Sequence, residues 1–336
     1  MEAGVEATAR RRVTAADVAK DAGVSRATVG YVLNGTPGQT ISQPTRERVL
    51  ASARRLGYQP NQTARTLASG RSRIVLFLMP DWPVEFRLRS FLDAVSAELG
   101  SAGYSLVAHS HVPGHGAPPL WESLNPDLVV SAVPIEPAAL AAMRTSGARV
   151  LAPDTQDGIG IGGLDLSRGV SAGLEIQVGH LHERGHRRLV YAALSEPRLS
   201  SLVSARHRAA VAHARVLGLP EPPLVRLDYR DRSAVDAVHR WHAEGVTGVV
   251  AYNDDAAALV VGAAVRAGLQ VPDDLAVVGH DDVPLASMFV PKLSSIRLDT
   301  EALGRRFAEA VLHHLDRRPL PDWIPVRPLL VRRETT

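Results

Sequence analysis

Apolar positions along the chain follow a helical rhythm first and a strand rhythm later, and the change falls near residue 74. Behind Thr14, an N-cap type, Val18, Ala19 and Ala22 recur at helical spacing until Gly23 closes the helix in a tight turn. Ser25 caps a second helix whose Ala27, Val29, Val32 and Leu33 pack on the first, leaving Arg26, Thr28 and Tyr31 for another partner. Two short helices joined by a glycine turn predict a helix-turn-helix, whose second helix fits the major groove of DNA. A third helix is expected from Gln43 to Leu56, capped by Ser42, with Val49, Leu50, Ala53 and Leu56 facing inward.

Gly57 to Arg73 comes next, where Pro60 stops one helix, Asn61 caps another and Gly70 ends it. The resulting two turns, NQTARTLAS, are marginal in isolation, and Leu67 is their one large apolar side chain. Two readings stand side by side: an apolar wedge for a DNA minor groove, or a linker with a leucine tucked against a domain. From Ile74 the runs IVLFLM, YSLVAH, DLVVSAV and ARVLA, then RLVYAAL, PLVRL, GVVAY and LAVVG, alternate with amphipathic helices. Unbroken apolar strands between helices imply two parallel sheets covered on both faces, hence two α/β subdomains. Ligands of such sheets bind beyond the carboxyl ends of the strands, so a cleft between the subdomains is the expected site.

Composition narrows the function classes. The 336 residues hold no cysteine, which excludes disulfide and thiolate chemistry. Neither a secretory segment nor an apolar run of membrane length is present, so a cytoplasmic protein without membrane contact is expected. Residues 1–73 carry 12 Lys and Arg against 5 Asp and Glu (+7), whereas the remainder carries 26 against 30 (−4). Positive charge concentrated in the first fifth suits a segment that meets phosphates, and Arg10, Arg11 and Arg12 read as a disordered basic arm over residues 1–12.

The runs DVAKDAGVSRATVGYVLNG and TRERVLASARRLGYQPNQTARTLASGRS resemble the headpiece and hinge of the lactose-repressor/galactose-repressor (LacI/GalR) family of bacterial transcription regulators. GHLHERGHRRLVYAAL, the run from Val246 to Ser287, and LSSIRLDTEALGRR are similar to that family's effector domains, themselves shaped like periplasmic sugar-binding proteins; the likeness is weakest from Asp81 to Pro119. The resemblance implies an α plus α/β chain. Its parts would be a helix-turn-helix domain over 13–58, a hinge over 59–73 and a two-subdomain effector domain over 74–336. The N-subdomain would span about 74–164 and 295–323 and the C-subdomain about 165–294 and 324–336, with crossings near Leu164, Ser294 and Trp323. It further implies that Arg26, Ala27 and Tyr31 read bases, that Thr14, Ser25, Thr28, Asn34, Asn61 and Arg65 join them at the DNA, and that Leu67 is levered between base pairs. Gly30 and Tyr31 depart from the usual Ser and Arg, so the operator sequence does not carry over.

The candidate chemistry points to binding. His182-Glu183-Arg184-Gly185-His186 matches the letters of a zinc-protease motif, but that chemistry needs both histidines on one continuing helix, and Gly185 sits where this helix should end. His109, His111 and His115 lie in a glycine- and proline-containing loop without a completing ligand, so no metal and no cofactor are expected. Asp154, Asn253, Asp254 and Asp281 each follow a strand's carboxyl end, where carboxylates and amides suit a hydroxyl-rich ligand; helix capping is the alternative, above all for Asp254 and Asp255. The resemblance favours Asp154, Asn253 and Asp281 as effector contacts and calls for an arginine, for which Arg206 is preferred and Arg208 kept. Tyr229 is either an aromatic platform or simply exposed, and His280 near a cleft is expected to make binding pH-sensitive. The reading is a sequence-specific repressor that meets double-stranded DNA as a homodimer, with a tetramer left open, and responds to a sugar-like effector. Its rivals are a secreted solute-binding protein, an enzyme, and a regulator that senses a nucleoside or other non-sugar metabolite.

Overall fold

The structure is a computed structural model that describes residues 13–34, 40–58, 71–110, 119–132, 134–153, 160–161, 164–322 and 325–336; for residues 34, 160–161 and 164–170 it describes backbone alone. The expected arm over 1–12, the hinge residues Asn61, Arg65 and Leu67, Asp154, His111, His115, the crossing near Trp323 and the side chain of Asn34 lie outside the described residues. The chain divides after Ser72 into two compact units, Met1–Ser72 and Arg73–Thr336.

In the first unit, helices α1 (Ala15–Ala22), α2 (Arg26–Asn34) and α3 (Gln43–Leu56) form because each has a local start and stop. Thr14 and Asp17 make a reciprocal capping box, and Gly23 and Gly57 end α1 and α3 at φ 65° and 64°, a conformation glycine adopts without cost. Ser42 occupies the N-cap position of α3, but its hydroxyl goes to Thr45 Oγ1 at 2.9 Å instead of to the backbone. Val18, Val29, Val32 and Val49 close the core with Ala19, Ala22 and Ala53. Each buried valine contributes roughly 1.5 kcal/mol. Asp21 adds a polar tie from α1 to Ser52 and Arg55 of α3.

The second unit holds two parallel sheets. In the first, β1 (Ile74–Met79), β2 (Ser105–Ser110), β3 (Leu128–Ser131) and β4 (Arg149–Leu151) lie in the order β2-β1-β3-β4. Its helices are α4 (Phe86–Ser101), α5 (Leu120–Leu124) and α6 (Pro137–Thr145). Strand alternation sends Val75, Phe77 and Met79 to one face and Leu76 and Leu78 to the other, so both faces are buried. Backbone pairing of β5 (Gly160–Ile161) with β6 (Leu164–Asp165) precedes α7 (Leu166–Glu183).

The second sheet runs β12-β11-β10-β9-β7-β8. It comprises β7 (Leu189–Leu194), β8 (Leu224–Leu227), β9 (Gly248–Ala251), β10 (Ala276–His280), β11 (Ser294–Arg297) and the antiparallel β12 (Leu329–Val331). Around it stand α7, α8 (Ser200–Val216), α9 (Ser233–Ala243), α10 (Asp254–Arg266) and the short α11 (Pro284–Met288). After β11 the chain returns to the first sheet, where α12 (Thr300–Leu315) buries Phe307 and Val311 beside Phe77. That return needs close contact: a Cβ on Gly304 would meet the Phe91 carbonyl oxygen at 2.7 Å and Ala94 at 2.8 Å. The crossing expected near Ser294 therefore falls after Arg297, because Ser294–Arg297 is itself a strand paired to β10. Strand order reverses between β7 and β9 in one sheet and between β1 and β3 in the other, and open α/β sheets offer a crevice beyond the carboxyl ends of the strands at such a point.

Candidate functional site

On the first unit the exposed side of α2 carries Arg26, Ala27 and Tyr31, while Val29 and Val32 are buried. Ala27 was expected on the packed side and is exposed, so the inward stripe of α2 is narrower than its letters suggest. Ser25 Oγ accepts from the Thr28 amide at 3.0 Å and contacts Thr28 Oγ1 at 2.9 Å, fixing the start of this helix, as the Thr14 box fixes α1. Among the described residues a Cβ on Gly30 would meet nothing within 4 Å, so none of their contacts demands glycine there. Gly30→Ala is accordingly expected to raise the unfolding free energy of this unit by about 1 kcal/mol through helix propensity and a stiffer unfolded chain. Urea denaturation followed by circular dichroism measures it, and a destabilised variant would contradict it.

In the second unit the site grows from the end of β10. His280 is its last residue, and Asp281 and Asp282 follow with φ of 99° and 47°, a left-handed pair held in place from several sides. The Asp281 amide donates to the Ile296 carbonyl at 2.8 Å, and the Asp282 amide to Ser295 Oγ at 3.0 Å. The Asp282 carboxylate pairs with Arg297 and Arg333. So anchored, the turn presents Asp281 Oδ1 to three donors: Arg206 from α8 at 3.1 Å, its neighbour His280 Nδ1 at 2.7 Å, and Arg87 from α4 of the other sheet's half. Arg206 donates a second bond to the Tyr252 carbonyl at 2.6 Å, with its guanidinium 4.6 Å from the Tyr252 ring centre.

Burial and charge compete at each of these groups. Burial would raise the Asp281 carboxyl, but Arg206, Arg87 and the His280 hydrogen bond hold it well below the usual carboxylate range. Burial and the Arg206 charge push His280 down to about 4, which keeps the imidazole neutral across the range in which it was expected to make binding pH-sensitive. Glu85, at the start of α4, is pushed up to about 7, by burial first and then by Asp281 and Asp255. Asp254 is also raised to about 7 by burial, although Ser295 Oγ donates to it at 2.5 Å and the Val283 amide at 2.8 Å.

Not every expected residue joins this cluster. Arg206 and Asp281 meet, while Arg208 is exposed two residues along α8. Asn253 is buried and its Oδ1 accepts from the Ala256 amide at 3.0 Å; it is the residue that caps α10, the part expected of Asp254 and Asp255. Asp254 instead turns inward to brace the 281–283 turn. Tyr229 is 64% exposed, with the Arg230 guanidinium 4.9 Å from its ring centre, and no described contact joins it to Arg206 or Asp281. α7 ends at Glu183 and Gly185 takes φ 94°, so His186 is off the helical face and its Nδ1 meets Thr247 Oγ1 at 3.0 Å. Sequence reasoning missed Trp82, Glu85 and Arg87, which lie in the stretch where the family likeness is weakest.

Comparison with known proteins finds a match in each of the two units. A family profile described as "Bacterial regulatory proteins, lacI family" matches residues 14–61, and one described as "Periplasmic binding protein-like domain" matches residues 178–336. The chain is 31% identical over 320 residues to the HTH-type transcriptional regulator GntR of Pseudomonas aeruginosa, covering 90% of this chain and 89% of that protein. It is 25% identical over 338 residues to the ribose operon repressor of Bacillus subtilis, covering 96% and 98%. Among solved structures, the lac repressor dimer bound to operator and the anti-inducer ONPF superposes with a TM-score of 0.76 at 22% identity over 97% of this chain and 99% of that one, a likeness of fold.

Proposed function

The chain belongs to the LacI family of bacterial regulatory proteins, and from that premise we propose that it is a repressor whose hold on a palindromic operator is set by a small hydroxyl-rich effector, a sugar or sugar derivative. The carrying observation is one chain that joins a capped α2 displaying Arg26, Ala27 and Tyr31 to a buried Arg206–Asp281 pair at the carboxyl end of β10. The first can read base edges; the second offers fixed donors and acceptors to hydroxyl groups. Two copies, paired as a homodimer, would present two α2 helices to half-sites about one helical turn apart. Leu67 would be the wedge at the operator centre, and Asp154 would complete the effector contacts. Relatives named as transcriptional regulators support a cytoplasmic DNA-binding role, and no catalytic role is assigned to any residue.

The test is binding of the intact protein to duplexes selected from a random palindromic pool, read by mobility shift at several salt concentrations. Parent protein should select one sequence class and lose affinity steeply with salt. Arg26→Ala should weaken the selected duplex by about 1–3 kcal/mol and relax the preference at one base pair. A parent protein that selects no sequence would overturn the assignment. A thermal-shift screen of sugars and nucleosides, repeated on Arg206→Met, separates the two effector classes, since a ligand of the folded form raises the melting temperature.

A further inference from the structure

We propose that Arg87 is a tethered competitor for the effector: with Trp82 it clasps the two α/β halves together in the effector-free protein and occupies the Asp281 oxygen that a ligand hydroxyl needs. The inference rests on the reading of this cleft as the effector site.

Both residues belong to the first half, in the run between β1 and the body of α4, and both reach the second. Trp82 packs against that half's apolar cluster, which includes Tyr191, Leu199, Val203 and Tyr252, and its indole Nε1 is buried without a hydrogen-bond partner among the described residues. Its hold is therefore apolar contact, which releases without breaking a hydrogen bond when the halves part. Pro80 and Pro83 limit the freedom of the loop, and the Trp82 amide on the Pro80 carbonyl at 2.7 Å and the Glu85 amide on the Pro83 carbonyl at 2.9 Å tie it to the head of α4.

Arg87 meets Asp281 in an ion pair whose side chains are 18% and 7% exposed. Asp281 Oδ1 has room for two in-plane donors and receives three. Arg206 has a second anchor on the Tyr252 carbonyl and is buried, and His280 is wedged so tightly that a Cβ on Gly173 would lie 2.6 Å from its Nε2. Arg87 is the most solvent-accessible of the three donors and the one carried by the other half. It is the donor that leaves when a ligand arrives.

The geometry also fixes the chemistry of the group that replaces it. That group must donate to a carboxylate, so it is a hydroxyl or an ammonium; a carboxylate or phosphate of the ligand cannot face Asp281. Effector affinity is lowered by the fraction of molecules in which Arg87 holds the oxygen, which makes the clasp a setting for sensitivity.

The experiment uses the full-length protein with no effector present. Acrylamide quenching of tryptophan fluorescence is compared in parent, Arg87→Met and Arg87→Lys, each with and without Trp82→Phe to isolate the Trp82 signal, and folding is checked by melting temperature. Quenching of Trp82 should be weak in the parent, rise severalfold in Arg87→Met, and stay near the parent level in Arg87→Lys. Unchanged quenching in Arg87→Met, or Trp82 already open in the parent, overturns the clasp. Because the assay holds no effector, this failure is distinct from failure of the cleft reading, which would appear as the absence of any ligand-induced thermal shift in the parent.

Discussion

Asp281→Asn is expected to lower the unfolding free energy by about 3–5 kcal/mol, the range for removing one partner of a buried ion pair. The loss comes from Arg206 more than from the aspartate. Its guanidinium is buried in α8, and burial alone would favour losing its proton; the Asp281 carboxylate beside it is what balances the charge. An asparagine oxygen can accept a hydrogen bond but cannot balance that charge, so the variant keeps an uncompensated cation in the cleft. Arg206→Met should cost less, because Asp281 then still has Arg87 and His280. The double variant should recover part of the Asp281→Asn loss, giving a coupling energy of opposite sign to the two single losses. Urea denaturation of the four proteins at neutral pH measures the cycle. An Asp281→Asn loss no larger than that of Arg206→Met would show that the carboxylate is not what holds the arginine.

This site was half legible beforehand, and the division follows sequence distance. Helices α1 to α3 were readable because their signals are local: a cap, a 3.6-residue stripe, a glycine at positive φ. The alternating strands were readable because both faces of each sheet are covered, leaving unbroken apolar runs. Strand β11 was not, since it reads Ser-Ser-Ile-Arg; Ser294 and Ser295 are buried for their hydrogen bonds, to Arg333 and Thr336 for the first and to Asp254 and Asp282 for the second. Asp281 could be chosen by its place after a strand, and Arg206, beside Arg208, by the family resemblance. Arg87 could not, because the residue it meets is 194 positions away and on the other sheet's half, and nothing in PDWPVEFRLRS says which half its arginine faces. The burial that makes Asn253 a cap and leaves Tyr229 outside the cluster was hidden for the same reason: an amide after a strand looks alike whether it meets its own helix or a ligand.

His280→Gln is expected to change how stability depends on pH, with a sign set by the buried imidazole. In the unfolded chain a histidine titrates near 6.5, whereas His280 in the fold is pushed down to about 4 by burial and then by the Arg206 charge. Between these values the unfolded chain binds a proton that the folded chain refuses, so His280 subtracts stability progressively as pH falls from about 6.5, reaching about 3 kcal/mol near pH 4. Asp254 acts in the opposite direction. Raised to about 7 by burial, it binds a proton in the fold where the unfolded chain has lost its own, and so adds stability as pH falls through the same window. In the parent the His280 loss offsets part of what Asp254 and the similarly raised Glu85 add across that range. Removing His280 removes that penalty while Asp254 and Glu85 remain in both proteins, so the variant should gain on the parent by about 3 kcal/mol between pH 7.5 and pH 4, whatever constant loss the lost packing against Gly173 imposes. Asp281 does not enter the difference, because its carboxyl is held well below the usual range and stays ionised in both folded proteins. Urea denaturation of both proteins at pH 7.5, 5.5 and 4.5 gives the difference directly. A constant difference across the three would mean that the imidazole takes up a proton in the fold as readily as in the unfolded chain, and that the Asp281 cluster is open to water in a way its burial denies.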